Sequence, residues 1–449
     1  MISVSKIDIC SRNYEEFTVL YDLRNEQILK LESVAADIWD FIAENETTDI
    51  PDIVNYICSI YNCSSNDITQ DVIDFLGDLY NSGVIKINGN YFCLNEIDNN
   101  TNANETEDFE GKIIEELQSM DQLYSATFEM TYECNEQCIH CYAHYPGVKC
   151  TTIGKEKYKD LIDELYDMKC MHIAFTGGDP FVNKDFIEVF KYSRAKGFVC
   201  DIFTNGLYLY GNQKELEEII SLRPRAFYVS LYGARPEVHD AITNVPGSFR
   251  KTIEVVRTLK SYNVPVVFNV MIMSVNYHEL DSIIVLAKNL NVEYRISMSL
   301  IYTNSGDDSP MDYFIRDKEI IKYVLEKSRE RMYSLDIKID ENDNSEYLCG
   351  AGVSSICISP DGTIYPCVSL KIKLGNVNNG SISDAWKSDS RKEILSTLRW
   401  DKTKECYRCA VQKDCMHCVG ISQSETGDMF SCNTCDKLIA ECLHEIKIT

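Results

Sequence analysis

Basic residues are scarce in this sequence. Lysine and arginine together number 44 against 70 aspartates and glutamates, which gives a formal net charge of −26. Nonspecific binding to nucleic acid depends on neutralising phosphates with Lys and Arg, so this balance argues against a nucleic-acid partner. Net charge concerns solubility and association rather than fold, so it excludes no fold class.

Long apolar runs are also missing. No stretch approaches the length needed to span a bilayer, and the first residues, 1–6, lack the charged and apolar regions of a signal peptide. We therefore expect a cytoplasmic protein with no membrane partner. With 449 residues and 45% hydrophobic content, the chain is long enough for two to four globular domains.

Cysteine, by contrast, is abundant, with 20 in the chain. Disulfides are rare in a cytoplasmic setting. Three cysteines lie between 134 and 141 and ten between 349 and 442, and such clusters indicate metal binding. Oxygen-sensitive metal in turn indicates an anaerobic host. The other seven are scattered and are interpreted as small buried hydrophobes: Cys10, Cys58, Cys63, Cys93, Cys150, Cys170 and Cys200.

The first cysteine group follows an alternating apolar run, 126–130, that has the period of a strand. Its spacing is C-x3-C-x2-C. Three thiolates can bind three irons of a [4Fe–4S] cube and leave the fourth iron open as a reaction site. A structural zinc site needs four ligands, which His140 or His144 could complete, so the group alone leaves both metals open. The three residues are Cys134, Cys138 and Cys141.

A glycine pair ends the next predicted strand, His172–Thr176. Two glycines let the backbone approach a ligand closely, and a carboxylate beside them suits an ammonium group. Alone, the string would serve equally as an ordinary turn. In this order and spacing, the two motifs resemble those of the radical S-adenosylmethionine (radical SAM) enzymes. The string is Gly177, Gly178, Asp179 and Pro180.

The resemblance implies a cofactor and a chemistry. In that family, S-adenosylmethionine chelates the open iron through its amino and carboxylate groups, and the Gly-Gly-(Asp or Glu)-Pro segment binds the same amino group. One-electron reduction then yields a 5′-deoxyadenosyl radical that abstracts a substrate hydrogen. An electron donor such as flavodoxin or ferredoxin is implied as a partner. By position, His140 packs against the adenine and Ser230 contacts the cofactor.

Other polar residues follow predicted strands. Thr204 and Asn205 end the third strand and are candidate cofactor contacts, although the same residues suit an ordinary turn. His239 and Asp240 could form an acid–base pair, but a helix-start cap is the favoured interpretation.

Strands and helices alternate from 121 to 335, which predicts an α/β fold with a parallel sheet. Six units suggest the partial (β/α)6 barrel of the radical SAM family, open on one side so that a peptide could enter. The predicted strands are 125–131, 172–176, 199–204, 226–231, 265–273 and 292–300. The predicted helices include 158–168, 186–195, 252–259 and 280–290.

Residues 1–95 predict a separate winged-helix domain. Two strand regions, 2–10 and 17–31, precede three amphipathic helices, and a hairpin over 84–94 turns on Asn-Gly. The domain is acidic, and it resembles the PqqD-like element of ribosomal-peptide maturation enzymes, in which the leader of a precursor peptide adds a strand to the sheet. A stabilising cap is the alternative. Residues 96–120 are predicted to be an acidic linker.

The region 345–449 has a second set of clustered cysteines. Taken alone, it could be a pair of zinc ribbons. The order of its cysteines, with a hairpin turning at Pro-Asp-Gly (360–362), resembles the SPASM extension of radical SAM peptide maturases, which carries auxiliary [4Fe–4S] clusters. The resemblance implies a nearer cluster on Cys349, Cys367 and Cys418. It implies a distal cluster on Cys406, Cys409, Cys415 and Cys435.

Two ligands stay open at this point. Cys357 is either a fourth ligand of the nearer cluster or an inward-facing hydrophobe, and Cys432 competes with Cys435, which spacing favours. The whole resembles sactipeptide and ranthipeptide maturases, which form thioethers between cysteine sulfur and carbon on a precursor peptide, here with three [4Fe–4S] clusters. Carbon–carbon crosslinking, epimerisation and sulfatase-type oxidation are alternatives within the class. A zinc-stabilised, non-catalytic peptide-binding protein is the alternative outside it.

Overall fold

The computed structural model describes residues 1–4, 8–45, 47–87, 109–143, 152–328 and 347–448. Its secondary structure is mixed α and β, as expected. Among these residues, no helix combines the length and apolarity that crossing a membrane requires.

The N-terminal domain has the order of elements predicted for a winged helix. Strands β2, β3 and β4 form one antiparallel sheet, and β1 pairs with β5 in another. The predicted strand 2–10 is thus two strands in different sheets. Residues 88–94 of the predicted hairpin lie outside the described residues. The elements are β1 (Ile2–Val4), β2 (Ile9–Asn13), β3 (Phe17–Asp22), β4 (Gln27–Glu32), α1 (Ser33–Glu44), α2 (Ile50–Tyr61), α3 (Ser65–Asn81) and β5 (Ile85–Ile87).

The three-stranded sheet lies between two apolar clusters. Alternate residues such as Leu20 and Leu29 face the helices α1 to α3, while Val19 and Tyr21 face the barrel. The described end of the predicted acidic linker is α4 (Phe109–Ser119), a helix whose Ile113 and Leu117 pack against that second face. This apolar stripe at helical spacing explains why the segment folds on the sheet.

The barrel region contains all six predicted parallel strands, and the helices 186–195 and 280–290 have the predicted bounds. Strands and helices alternate along the chain, so the carboxyl ends of the strands share one edge of the sheet. The elements are β6 (Ser125–Glu129), α5 (Lys155–Asp167), β7 (His172–Thr176), α6 (Phe186–Ala195), β8 (Val199–Thr204), α7 (Gln213–Ser221), β9 (Ala226–Ser230), α8 (Pro236–Thr243), α9 (Ser248–Ser261), β10 (Val266–Met271), α10 (Leu280–Leu290), β11 (Glu293–Ser297) and α11 (Lys318–Ser328).

The C-terminal region continues the barrel sheet, which the sequence did not predict. Strand β12 pairs in parallel with β6, and β13 and β14 follow it to make nine strands in all within the described residues. The predicted hairpin at 360–362 is present between β12 and β13. The elements are β12 (Ser355–Ile358), β13 (Thr363–Tyr365), β14 (Gly375–Asn376), α12 (Ile382–Trp386), α13 (Asp389–Thr397), α14 (Val419–Thr426) and α15 (Thr434–Ile448).

Candidate functional site

A cavity of about 600 Å³ lies at the carboxyl ends of the barrel strands. The barrel forms one wall, with residues that follow or end β6 to β11, and the C-terminal region forms the other, with Ser369, Cys418 and Asp436 among its residues. The cavity therefore joins the first cysteine group to the second. The predicted residues that line it are Cys134, Cys138, His140, Cys141, Gly177, Gly178, Thr204, Asn205, Ser230 and Cys418.

The first cysteine group sits on a loop that hydrogen bonds fix in place. The Gln137 and Ile139 backbone N–H groups donate to the carbonyls of Thr243 and Ile242 at the end of α8. The pKa of the Cys138 thiol is raised by burial and further by Glu136, Cys141 and Cys134. Three thiols and a carboxylate that disfavour one another's charge suit a positively charged partner, so this donor set fits an iron–sulfur cluster.

A zinc ion would need a fourth ligand beside the three thiols. Within the described ranges, no three His, Cys, Asp or Glu side chains are grouped closely enough to hold one metal ion. His144 lies outside those ranges. His140 packs its ring edge-on to Tyr232, with centroids 4.7 Å apart, and burial lowers its pKa to about 4, so it is neutral.

The glycine pair permits a close approach of two backbone segments. A Cβ on Gly177 would lie 2.2 Å from the Thr131 carbonyl oxygen, and one on Gly178 would lie 2.1 Å from that of Glu133. Gly177 also has a φ of +127°, which favours glycine. Both glycines therefore pack against the segment that leads into Cys134. They also line the cavity, so their backbone is open to a ligand there.

The Asp179 carboxylate points into the protein and does not line the cavity. It accepts hydrogen bonds from Thr204 Oγ1 at 2.7 Å, the Asn205 N–H at 2.9 Å and the Phe181 N–H at 3.0 Å. Burial raises its pKa to about 6, against the effect of these donors. This geometry favours a positioning role for Asp179 through Thr204 and Asn205, and its predicted contact to the cofactor stays a prediction. Pro180, also buried, begins the short 3-10 helix that follows.

Asn205 connects the third strand to the cysteine loop. Its Nδ2 donates to Asn135 Oδ1 at 2.7 Å and lies 3.5 Å from Cys134 Sγ. The Thr204 hydroxyl donates a hydrogen bond to the Asp179 carboxylate and accepts one from the Gly206 N–H. Asn205 thus combines turn chemistry with a contact to a cluster-binding thiol, and the two predicted roles are not exclusive.

His239 and Asp240 have structural roles. Asp240 accepts from the backbone N–H groups of Gly247 and Phe249, at 2.5 and 2.9 Å, and so caps the start of α9. His239 Nδ1 accepts from the Tyr232 N–H at 3.2 Å. The favoured interpretation of a cap is correct for Asp240, although the helix it caps is the next one along the chain.

The structure groups three thiols of the predicted nearer cluster. Burial, together with the nearby thiols of Cys367 and Cys418, raises the pKa of Cys349 to about 12, so the three thiols lie close enough to interact. Gly420 permits this: a Cβ there would lie 2.5 Å from Ser369 Cβ, so α14 can approach the loop after Cys367. Cys357 is fully buried on β12, where Glu129 affects its pKa more than Cys367 does. Cys357 therefore lies next to the three thiols, and its role as a fourth ligand stays a prediction.

Cys432 lies near three of the thiols predicted for the distal cluster. Cys406 is hydrogen-bonded to Cys432, and Cys409 and Cys415 are its other thiol neighbours. Cys435 is fully buried in an apolar cluster with Leu300 and Phe314, and its thiol faces the Leu300 carbonyl at 3.7 Å. The choice of Cys435 from spacing stays a prediction, and the arrangement of the thiols favours Cys432. Cys435 lies on the first turn of α15, which points it at the barrel, whereas Cys432 precedes the helix.

Arg295 on β11 is a cavity residue that the sequence analysis missed. Its guanidinium lies 4.6 Å from the centroid of the Tyr228 ring, which also lines the cavity. The sequence carries a signal for this residue. Arg295 is at the middle of the strand, and its two neighbours, Tyr294 and Ile296, are buried on the other face.

Comparisons with known proteins agree with this arrangement. Three family models match the chain: the radical SAM superfamily over residues 128–287, an iron–sulfur cluster-binding domain (SPASM) over 349–410, and coenzyme PQQ synthesis protein D (PqqD) over 18–85.

Among similar curated proteins, the subtilosin biosynthesis protein AlbA of Bacillus subtilis is 24% identical over 74% of this chain and 71% of its own. An AdoMet-dependent heme synthase of Methanosarcina barkeri is 24% identical over 67% of this chain and 92% of its own.

Solved structures give the same architecture. Streptococcus suis SuiB bound to the precursor peptide SuiA superposes with a TM-score of 0.60 over 97% of this chain and all of its own, at 14% identity. At that identity the likeness concerns the fold alone. The chain therefore carries a region that matches the radical SAM superfamily between regions that match the PqqD and SPASM models.

Proposed function

We propose that this protein modifies a ribosomally made precursor peptide by joining a cysteine sulfur to a carbon of the same peptide. The observation that carries the proposal is the single cavity that runs from the first cysteine group to Cys418 of the second. A peptide in that cavity would meet both sites at once.

We propose the following residues as ligands of the cofactors. Cys134, Cys138 and Cys141 would bind the first cluster, and S-adenosylmethionine would lie against the cavity-lining residues beside it. A second group would bind the nearer auxiliary cluster: Cys349, Cys367 and Cys418. A third would bind the distal one: Cys406, Cys409, Cys415 and Cys432. The first cluster, once reduced, and S-adenosylmethionine would together supply a 5′-deoxyadenosyl radical.

The chain's own residues would position the reactants. Asn205, held by Asp179, orients the loop of Cys134. Neutral His140 and Tyr232 present ring surface to an adenine, and Arg295 offers a cation to carbonyl groups of the peptide. The largely apolar wall excludes water, which protects a carbon radical from side reactions.

The reaction would balance with S-adenosylmethionine as co-substrate, whose S–C5′ bond breaks on uptake of one electron and which leaves as methionine and 5′-deoxyadenosine. One C–H and one S–H bond of the peptide are lost, and one C–S bond forms. One hydrogen leaves with 5′-deoxyadenosine, and one proton and one electron are released. We propose that the auxiliary clusters accept that electron and that flavodoxin or ferredoxin supplies the first one.

The N-terminal domain would hold the leader of the precursor peptide. In the described part of the chain, the β2 and β4 edges of its three-stranded sheet pair with no further strand, and either could take an added one. Holding the leader there raises the effective concentration of the remaining peptide near the barrel. This domain favours a peptide substrate over a small one such as haem.

The test uses anaerobically reconstituted enzyme, S-adenosylmethionine, a reductant and the cysteine-bearing precursor encoded beside the gene. Thioether formation predicts a loss of about two hydrogens per bridge, with bridged cysteines resistant to alkylation. The matched control is Cys134→Ala, which should produce no 5′-deoxyadenosine. Unchanged peptide mass with 5′-deoxyadenosine formed would reject thioether formation and favour epimerisation.

A further inference from the structure

Arg295 supplies the positive charge of the cavity at the cysteine groups. Among the described residues that line this cavity, it is the only arginine or lysine. His140 lines it too, but burial lowers the pKa of that ring to about 4, so it is neutral at pH 7. Three carboxylates, Glu136, Asp414 and Asp436, complete the charged lining. Arg295 is therefore the point on this lining at which a negatively charged group of a ligand gains a cationic partner.

The three carboxylates lie on elements other than β11, which carries Arg295. Glu136 lies on the cysteine loop, and the other two belong to the C-terminal region. Asp414 pairs with Lys447 on α15 at 2.8 Å. Asp436 accepts a hydrogen bond from the Cys418 N–H. The acids of the cavity thus have partners of their own, on parts of the lining separate from β11.

Arg295 belongs to a row of polar residues on the inner face of the barrel. In the sheet register, Asn269 is the Cα partner of Ser230 on one side and of Arg295 on the other. Such partners point their side chains to the same face, and all three residues line the cavity. Neighbouring strands lie about 4.8 Å apart, so the row spans about 10 Å between Arg295 and Ser230. The row therefore leads from Arg295 to the residue predicted to contact the cofactor.

The Arg295 side chain rests on a buried aromatic platform. Its guanidinium lies over the Tyr228 ring, 4.6 Å from the ring centroid, on a strand two positions away in the sheet. Phe203 stacks on the same ring, with centroids 4.5 Å apart and planes 10° apart, and Tyr228 is 4% exposed. An arginine can pack against an aromatic ring while its planar fork of N–H groups binds a carboxylate.

A peptide in the cavity would change the surroundings of this charge. Arg295 is half-buried, and a chain that fills the cavity would remove further water from its guanidinium. Burying a charge without a partner is unfavourable. A carboxylate offsets that cost through two charge-assisted hydrogen bonds, and the exposed amide of Asn269 adds a third donor. The site therefore favours an acidic side chain over its neutral amide.

We propose that Arg295, with Asn269 beside it, binds the carboxylate of an aspartate or glutamate in the core of the precursor peptide, the part outside its leader. This contact selects which residue of the core faces the cofactor. The inference rests on the proposed function and deepens it, because it names the side chain that the cavity recognises. Arg295 is thus a specificity-determining residue, and the bond-forming chemistry stays with the groups described above.

The first experiment compares acidic and amide forms of the peptide. In the precursor encoded beside the gene, each Asp or Glu of the core is replaced in turn by Asn or Gln. The measured quantity is kcat/KM for peptide-dependent formation of 5′-deoxyadenosine by the anaerobically reconstituted, reduced enzyme. We expect one such replacement to lower kcat/KM of the wild-type enzyme roughly 30-fold. A core without Asp or Glu, or one in which every replacement leaves kcat/KM unchanged, would overturn the proposal.

The second experiment repeats this comparison with enzyme variants. Arg295→Gln should process the acidic and amide peptides with equal kcat/KM, whereas Arg295→Lys, which keeps the charge and loses the fork, should keep part of the preference. The matched control is Arg316→Gln, because Arg316 is exposed, lies over the Phe314 ring and does not line the cavity. It should keep the full preference. Thermal unfolding shows whether each variant folds, and if Arg295→Gln does not, Arg295→Lys carries the comparison. Full preference for the acidic peptide in a folded Arg295 variant would refute the proposal.

S-adenosylmethionine also has a carboxylate, so its binding is measured separately. Equilibrium dialysis without peptide should give the same affinity for the wild-type enzyme and Arg295→Gln. A loss of roughly tenfold or more, with the preference for the acidic peptide unchanged, would assign Arg295 to the cofactor and overturn the inference.

Product mass separates this inference from the proposed function. A preference for the acidic peptide without the mass loss of a bridge would reject thioether formation and support the contact with Arg295. Bridges formed at equal rates from the acidic and amide peptides would support thioether formation and reject the contact.

Discussion

Replacing Gly178 by alanine tests how the cysteine loop is positioned. The added Cβ would lie 2.1 Å from the Glu133 carbonyl oxygen and 2.6 Å from its carbon. Ordinary contact needs about 1 Å more than that, so the segment 131–133 has to move by about that distance. Both atoms are backbone, and no side-chain rotation relieves the clash.

The movement would displace Cys134, the next residue in the chain. Overpacking of this kind costs about 1–3 kcal/mol in stability. A misplacement of about 1 Å at a reacting centre can lower the rate by about 10²-fold. We therefore expect Gly178→Ala to fold, to lose iron from the first cluster and to form little 5′-deoxyadenosine.

Iron content separates this cluster from the other two. A protein with three [4Fe–4S] clusters holds about 12 irons, and loss of the first alone leaves about 8. The control is Gly154→Ala, because a Cβ at Gly154 meets nothing within 4 Å. Wild-type iron content and activity in Gly178→Ala would refute the argument that this close approach positions Cys134.

The remaining predictions concern ligands, positioning and pH. Cys432→Ser should lower iron content by about four atoms whereas Cys435→Ser should leave it unchanged, and the opposite result in an iron assay would restore the assignment from spacing. Asp179→Asn turns one acceptor into a donor facing Thr204 or Asn205, so S-adenosylmethionine should bind roughly tenfold more weakly by equilibrium dialysis, and unchanged affinity would remove its positioning role. Burial lowers the pKa of His239 to about 4, below its usual 6.5, so stability should be full above pH 6.5 and fall by about 3 kcal/mol as the pH drops to 4. Denaturant unfolding of His239→Asn, whose amide oxygen can replace Nδ1, should lack that slope, and a persistent slope would assign it to other groups.

Local patterns predicted the elements of this fold well. The apolar stripe of α1 is buried as expected, at Ala36, Ile38, Trp39 and Ile42. The six parallel strands follow from alternating helical and strand periods, which are properties of single segments. Pairing of β12 with β6 joins residues more than two hundred positions apart, and nothing in either segment alone encodes that choice.

In the site, too, local features could be predicted from the sequence and tertiary ones could not. The spacing of the motif was enough to predict that Cys134, Cys138 and Cys141 lie together, because these residues share one loop. All three line the same cavity. The direction of the Asp179 carboxylate depends on where β8 ends, and that is a tertiary property. The choice between Cys432 and Cys435 likewise depends on where α15 begins, and a difference of three residues turned one thiol toward the barrel wall.

The joined sheet has a consequence for electron transfer between the clusters. Cys357 on β12 lies beside Thr127 on β6, and Lys371 of the C-terminal region reaches the buried Glu129 at the end of β6. Glu129 also accepts a hydrogen bond from Tyr132, two residues before Cys134. Backbone pairing and a buried ion pair thus fix the first cysteine group relative to the nearer auxiliary group. In the proposed enzyme, these contacts would set the distance that an electron has to cross between the first cluster and the nearer auxiliary cluster.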